Sequence, residues 1–279
     1  MRLIRRIRST KNIRRWACWS AKLTGNQVEA IFEEDKFRMY AYILAGIIIF
    51  LAGLIQGLSG FGFAIVAVPL LTLLFDIRTV VPLVALCSII INLIIFHQLK
   101  IHFEYRKVFP LVIGSFFGIP IGIYFLKHYD EKFIGMILAA ILLCYSAYSL
   151  LGKEIKFTLR NAWSYFIGII AGSMGGAFNM NGPPVVIYAS LKYSDKDKIK
   201  SMLASYFLST GVLIILMHAV NGLTTAVVIK YFFLFVPVLV IGVLIGSRLY
   251  DRINQVLFKK VVYTLMLAMG FLLLLKCIL

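Results

Sequence analysis

Two short stretches hold most of the groups in this chain that could grip a solute. Gln56, Ser59, Gly60 and Gly62 lie in the first; Gly175, Gly176, Asn179, Asn181, Gly182 and Pro183 lie in the second. What they offer is carboxamides, a hydroxyl and backbone amides left uncovered by glycine, and such groups hydrogen-bond a small oxyanion without titrating. A helix beginning near Gly62 and another beginning at Pro183 would aim free N–H groups and the positive end of the helix dipole at each interruption, a ready anion site. Proline in that first helical position lacks only an N–H that would have been unpaired. These ten residues are the candidate substrate-binding set, with no catalytic residue, no metal ligand and no cofactor among the expectations. The competing use of the same glycines is close helix packing through small residues.

The rest of the chain restricts the chemistry further. With 61% apolar and 15% charged residues and a mean hydropathy of +0.92, an ordinary water-soluble fold is excluded. Asp, Glu, Lys and Arg fall in the N-terminal stretch, in loops or at the ends of hydrophobic runs. Hydrolysis or phosphoryl transfer needs paired carboxylates, a metal or an activated nucleophile. None is visible, so the chain reads as a non-enzyme. Cys18, Cys87, Cys144 and Cys277 are far apart, and His97, His102, His128 and His218 share no ligand spacing, so neither a disulfide framework nor a metal site is expected. His97 and His218 fall at span ends, where the expectation is an interfacial histidine, with a pH-responsive gate as the sharper alternative.

Uncharged runs place about ten hydrophobic segments: 41–58 and 61–75, 79–96, 108–126, 133–151, then 161–176 and 183–191, 201–219, 231–247 and 259–275. Glycine and proline in apolar sequence are costly for a helix, at about 1 kcal/mol per glycine relative to alanine, so a pair of such interruptions at matching places needs a reason. Gly53, Gly57, Gly60 and Pro69 recur as Gly168, Gly172, Gly175 and Pro184 at one spacing of 115 residues. Gly118 and Gly122 recur as Gly242 and Gly246, and His97 as His218, at slightly larger spacings. The expected fold is an all-α polytopic membrane protein: two inverted five-segment repeats, each with a Gly/Pro-interrupted pair near the midplane. The expected divisions are a basic, disordered or interfacial tail over 1–38, a first repeat over 39–152 and a second over 153–279. Gly114, Gly118 and Gly122, with Gly242 and Gly246, are expected to pack helices, while Ser88 and Asn92 either face the pathway or bond between helices.

Loop charge orients the body: one face collects 14 Lys and Arg against 5 on the other. That orientation puts the basic tail outside, so either Met39 is the true start, the favoured expectation, or the tail stays inside and the first pair of segments is misplaced. The basic excess, net +17 overall, is cytoplasmic loop charge and not a nucleic-acid surface.

The segments Gly57-Leu58-Ser59-Gly60-Phe61-Gly62-Phe63 with Pro69, Gly175-Gly176-Ala177-Phe178-Asn179-Met180-Asn181-Gly182-Pro183-Pro184, and Gly118 with Gly122 resemble the TauE/SafE-like sulfite exporters, also called the 4-toluene sulfonate uptake permease family. The resemblance covers about residues 42–275. It implies a multi-pass bacterial or archaeal cell-membrane transporter of small sulfur-containing anions such as sulfite, sulfoacetate or other organosulfonates. The glycine turns and the Asn-Gly-Pro-Pro segment would then be the substrate region. Where many relatives carry three glycines in a row, this chain has Phe61 and Phe63, expected to narrow the pocket. The expected partners are a small anion and the lipid bilayer, with a homodimer left open and no nucleic acid. The alternatives are a membrane interaction or assembly protein without transport, and a ten-span carrier of the drug/metabolite type.

Overall fold

A computed structural model describes residues 25–60, 62–98, 105–151, 163–192, 196–249 and 255–278. Among them every regular element is a helix, and the order follows the hydrophobic runs: α1 Gly25–Ser59, α2 Phe63–Leu71, α3 Ile77–Gln98, α4 Tyr105–His128 and α5 Glu131–Leu150. The second set is α6 Trp163–Phe178, α7 Gly182–Lys192, α8 Lys196–Val220, α9 Ala226–Leu249 and α10 Gln255–Ile278. Two compact units divide at Ala45 and Gly46. The described part of the first is helical throughout from Gly25; everything below concerns the second. Most of the stretch expected as a tail, and the question of Met39, lie outside the described residues or outside what the fold tests.

Six helices are long and apolar enough to cross a membrane: Met39–Leu58 within α1, Ile77–His97, Val108–His128, Glu131–Leu150, Met202–Val220 and Ala226–Leu249. The elements after each interruption are much shorter. α2 has 9 residues and α7 has 11, roughly 13 and 16 Å of helix at 1.5 Å per residue, about half of a ~30 Å hydrocarbon core. The run expected to extend to residue 75 stops at Leu71, where Thr72 Oγ1 donates to the Pro69 carbonyl at 2.8 Å and turns follow.

Glycine seams fix the helix pairs around these half-helices. On α4 a side chain at Gly118 would collide with the Ile169 carbonyl oxygen of α6, and one at Gly122 with that of Ser173. In return, Gly168 faces the Leu111 carbonyl and Gly172 faces that of Ser115. Backbone lies directly on backbone, as small-xxx-small spacing permits. α1 and α9 make a second seam: a Cβ on Gly57 would sit 2.5 Å from the Val243 oxygen, and one on Gly242 would sit 2.5 Å from the Phe50 oxygen. The two seams match by position. Gly242 faces Phe50 as Gly114 faces Tyr165, and Gly246 faces Leu54 as Gly118 faces Ile169. Contact thus pairs Gly114 with Gly242 and Gly118 with Gly246, one helical turn away from the pairing read from sequence.

At one end of the bundle Arg78 ties helices together. Its guanidinium donates to the carbonyls of Leu126 (3.2 Å), Lys127 (3.2 Å) and Tyr129 (2.9 Å), which closes the C-terminal end of α4 with a cation. Lys127 Nζ then donates to the Asn221 carbonyl in the α8–α9 turn at 3.1 Å.

Candidate anion-binding site

Each half-helix is set up by a local device that stops the chain and restarts it. At the first break Gly60 and Gly62 have φ of 77° and 112°, left-handed values that side chains disfavour. Gln56 bridges the gap: its backbone carbonyl accepts from Gly60 N–H at 2.7 Å, and its Oε1 accepts from Phe63 N–H, the first of α2, at 2.6 Å. A side chain seven residues back therefore does the capping that no residue at Gly62 could do. Phe63 itself is buried and its ring does not line the cavity described below; Phe61 lies outside the described residues.

The second break ends α6 with Asn179 at φ 55°, and asparagine is the side chain that best tolerates that conformation. Asn179 N–H bonds the Gly175 carbonyl at 2.8 Å. α7 begins at Gly182, followed by Pro183 and Pro184. The expectation of a donor-rich start at Pro183 is corrected here, because two successive prolines remove two N–H groups from the first turn. The start of α2 keeps more of its amides. Its Ala64 and Ile65 amides have no partner among the described residues, and both residues line the cavity.

That cavity holds about 40 Å³, room for a few water-sized groups. Gln56, Gly62, Ala64 and Ile65 line it from the first break, and Asn179, Met180, Asn181 and Gly182 from the second. Ser88 and Asn92 of α3 and Phe207 and Gly211 of α8 close it. Asn179 Nδ2 donates to Ser88 Oγ at 2.9 Å, and Asn181 Nδ2 to Thr210 Oγ1 at 3.0 Å, which orients both carboxamides. The Gln56 amide nitrogen and the whole Asn92 carboxamide have no partner among the described residues, although the two residues are only 6% and 7% exposed. No charged side chain is among the lining residues. A larger cavity of about 230 Å³, between Thr72, Gly135, Leu138 and Leu273 with Glu131 and Lys132 at its edge, has a mainly apolar wall and no comparable convergence of donors.

Of the ten candidate residues, five line the cavity: Gln56, Gly62, Asn179, Asn181 and Gly182. Gly60 sits in the bend beside it. Gly175 backs onto the Asn181 side chain and Ile214, and Pro183 is buried in the first turn of α7. Gly176 belongs to the α4–α6 seam, pressed on the Ile119 carbonyl. Ser59 ends α1, and its side chain is outside the described set. Ser88 and Asn92 resolve toward the cavity, whereas Phe207 and Gly211 carried no sequence signal.

His218 lies near the end of α8, with its side chain turned into the bundle. It is fully buried, with Nε2 donating to the Gly176 carbonyl at 2.9 Å, a carbonyl in the last turn of α6. Its Nδ1 has no partner among the described residues.

Gln56 offers a direct separation of folding from binding. Gln56→Glu keeps an acceptor for Phe63 N–H and places a negative charge at a helix start, which is stabilising. It also sets that charge against any anion in the cavity. The expected result is an unchanged or higher thermal midpoint together with at least a tenfold loss of sulfite binding in equilibrium dialysis.

Long apolar helices around two broken ones, meeting at a small polar cavity without charge, define a multi-pass cell-membrane protein built like a transporter. The chain belongs to the sulfite exporter TauE/SafE family, which it matches over residues 45–273. Among curated proteins it is similar to a probable sulfite/organosulfonate exporter TauE of Cupriavidus necator, at 24% identity over 174 residues, covering 61% of this chain and 68% of that one. No solved structure matches it. Family membership makes transport the class of activity.

Proposed function

We propose that the protein carries small oxyanions, sulfite or compact organosulfonates, across the cell membrane by alternating access between two inverted repeats. The observation that carries this reading is the cavity: unpaired amide donors of α2, Gln56 and Asn92 converge where two helices are broken, with no cation to hold the ion too tightly for release. The printed name of the Cupriavidus necator relative supports the sulfur oxyanion class. The matching glycine seams support two related halves, since α1 grips α9 through the same positions by which α6 grips α4. An odd number of segments per half would set the halves in opposite orientation, each contributing one half-helix to the site.

The test is flux in proteoliposomes of the purified chain, against sulfite, sulfoacetate, methanesulfonate and simple carboxylates. Saturable movement of sulfite or methanesulfonate is expected. Failure of the whole panel, with protein inserted and monodisperse, would remove the proposal.

A further inference from the structure

Asn92 is a largely buried polar residue that the described part of the bundle leaves without a partner. It sits on α3, it is 7% exposed, it lines the cavity, and neither end of its carboxamide has a partner among the described residues. The carboxamide is open to the cavity, so its donor and its acceptor are both available to a ligand that carries matching groups. In the same cavity lining, the start of α2 carries the Ala64 and Ile65 amides, and the Gln56 amide nitrogen is also unpaired.

The charge available to such a ligand is small. The lining has no Lys, Arg or His, so positive potential comes from one helix end, about half an elementary charge, and from neutral dipoles. Desolvation grows as the square of the ion's charge, so a dianion loses roughly four times the hydration of a monoanion of equal size. Half a charge offsets much of one negative charge and little of two. The free carboxamide oxygens act in the same direction: they repel the oxygens of a dianion and accept a hydrogen bond from a protonated one.

We propose that the cavity takes a singly charged oxyanion, a sulfonate or a hydrogen sulfite, anchored by Asn92 against the start of α2, and that it rejects doubly charged ions of the same size. This rests on the anion reading above and narrows it to a charge class. Alkyl sulfonates and hydrogen sulfite form one group under this rule; sulfate, hydrogen phosphate and fully deprotonated sulfite form the excluded one.

Methanesulfonate and sulfate have the same number of heavy atoms and differ in charge, so equilibrium dialysis of the purified full-length chain against each labelled ion isolates the effect. Methanesulfonate is expected to bind saturably and at least tenfold more tightly than sulfate. Asn92→Leu should lose methanesulfonate binding, as should Asn92→Asp, while Asn92→Gln should retain a weakened form of it. Equal affinity for the two ions would overturn the charge rule and leave the anion reading standing. Wild-type affinity in a monodisperse Asn92→Leu variant would remove Asn92 from the site. Binding of neither ion would sink both readings together.

Discussion

Gly118→Leu is expected to yield no folded protein. The new Cβ would overlap the Ile169 carbonyl oxygen and lie 2.8 Å from the Ser173 amide nitrogen. Both are backbone atoms in the middle of a helix, so neither can rotate away as a side chain would. The α4–α6 seam would have to part along its length, exposing Gly114 and Gly122 contacts as well and breaking the Ser173 Oγ hydrogen bond to the Gly118 carbonyl. A core overpacked by a methylene or two costs about 1–3 kcal/mol when neighbours can yield, and a rigid seam exceeds that range. Gly246→Leu, on the matching seam against Leu54, should fail in the same way. Gly46→Ala provides the contrast: its methyl would meet only the Phe235 ring, at 4.0 Å. There the gain in helix propensity, up to about 1 kcal/mol, should appear as equal or higher stability. Yield of monodisperse protein and the thermal midpoint in detergent read all three.

Gly182→Leu is expected to do the opposite, sparing the fold and abolishing flux. A Cβ there meets only the Phe207 ring edge, at 3.7 Å, and the remaining carbons enter a cavity of about 40 Å³. Gly182 precedes a proline, where a side chain disfavours helical backbone, so a loss on the order of 1 kcal/mol in stability is expected. Sulfite flux should fall at least a hundredfold. Gly211→Leu fills the same space from α8, where the nearest atom is the flexible end of Ile89 at 3.5 Å. Because it improves helix propensity while blocking the cavity, it separates the two effects. Normal flux in both variants would move the pathway elsewhere.

These two predictions turn on a distinction that sequence carries only in part. Helix order was legible because each hydrophobic run is bounded by charge, glycine or proline, and both breaks fall where Gly60-Phe61-Gly62 and Asn179-Met180-Asn181 stand. The rotation of each helix was not. When every face is apolar, nothing in the pattern says which side meets a neighbour. Gly175 and Gly176 therefore looked like site residues, and the structure turns Gly176 into the α4 seam and Gly175 behind Asn181. Asn92 could be named as polar but not aimed. The same ambiguity hid Phe207 and Gly211, and it gave no sign that the His218 ring is buried against the end of α6.

The proline pair shows a different limit. Asn-Gly-Pro-Pro marks a helix start in any apolar chain, yet whether that start feeds an anion depends on how many amides remain after the prolines are counted. Here α2, whose start is held by Gln56, keeps its Ala64 and Ile65 amides, while the first turn of α7 loses two N–H groups to proline. The two breaks are thus unlike at the site even where the seams beside them agree: the first supplies the Ala64 and Ile65 amides, the second the carboxamides of Asn179 and Asn181.

The most direct test is to locate the ion. Hydrogen selenite is a heavier analogue of hydrogen sulfite, and its selenium scatters anomalously. Crystals of the protein soaked in it should show one strong anomalous peak between the start of α2 and Asn179–Gly182, within hydrogen-bond reach of the Ala64 or Ile65 amide and of the Asn92 carboxamide. Selenium bound only at surface lysines and arginines, with that cavity empty, would contradict the account.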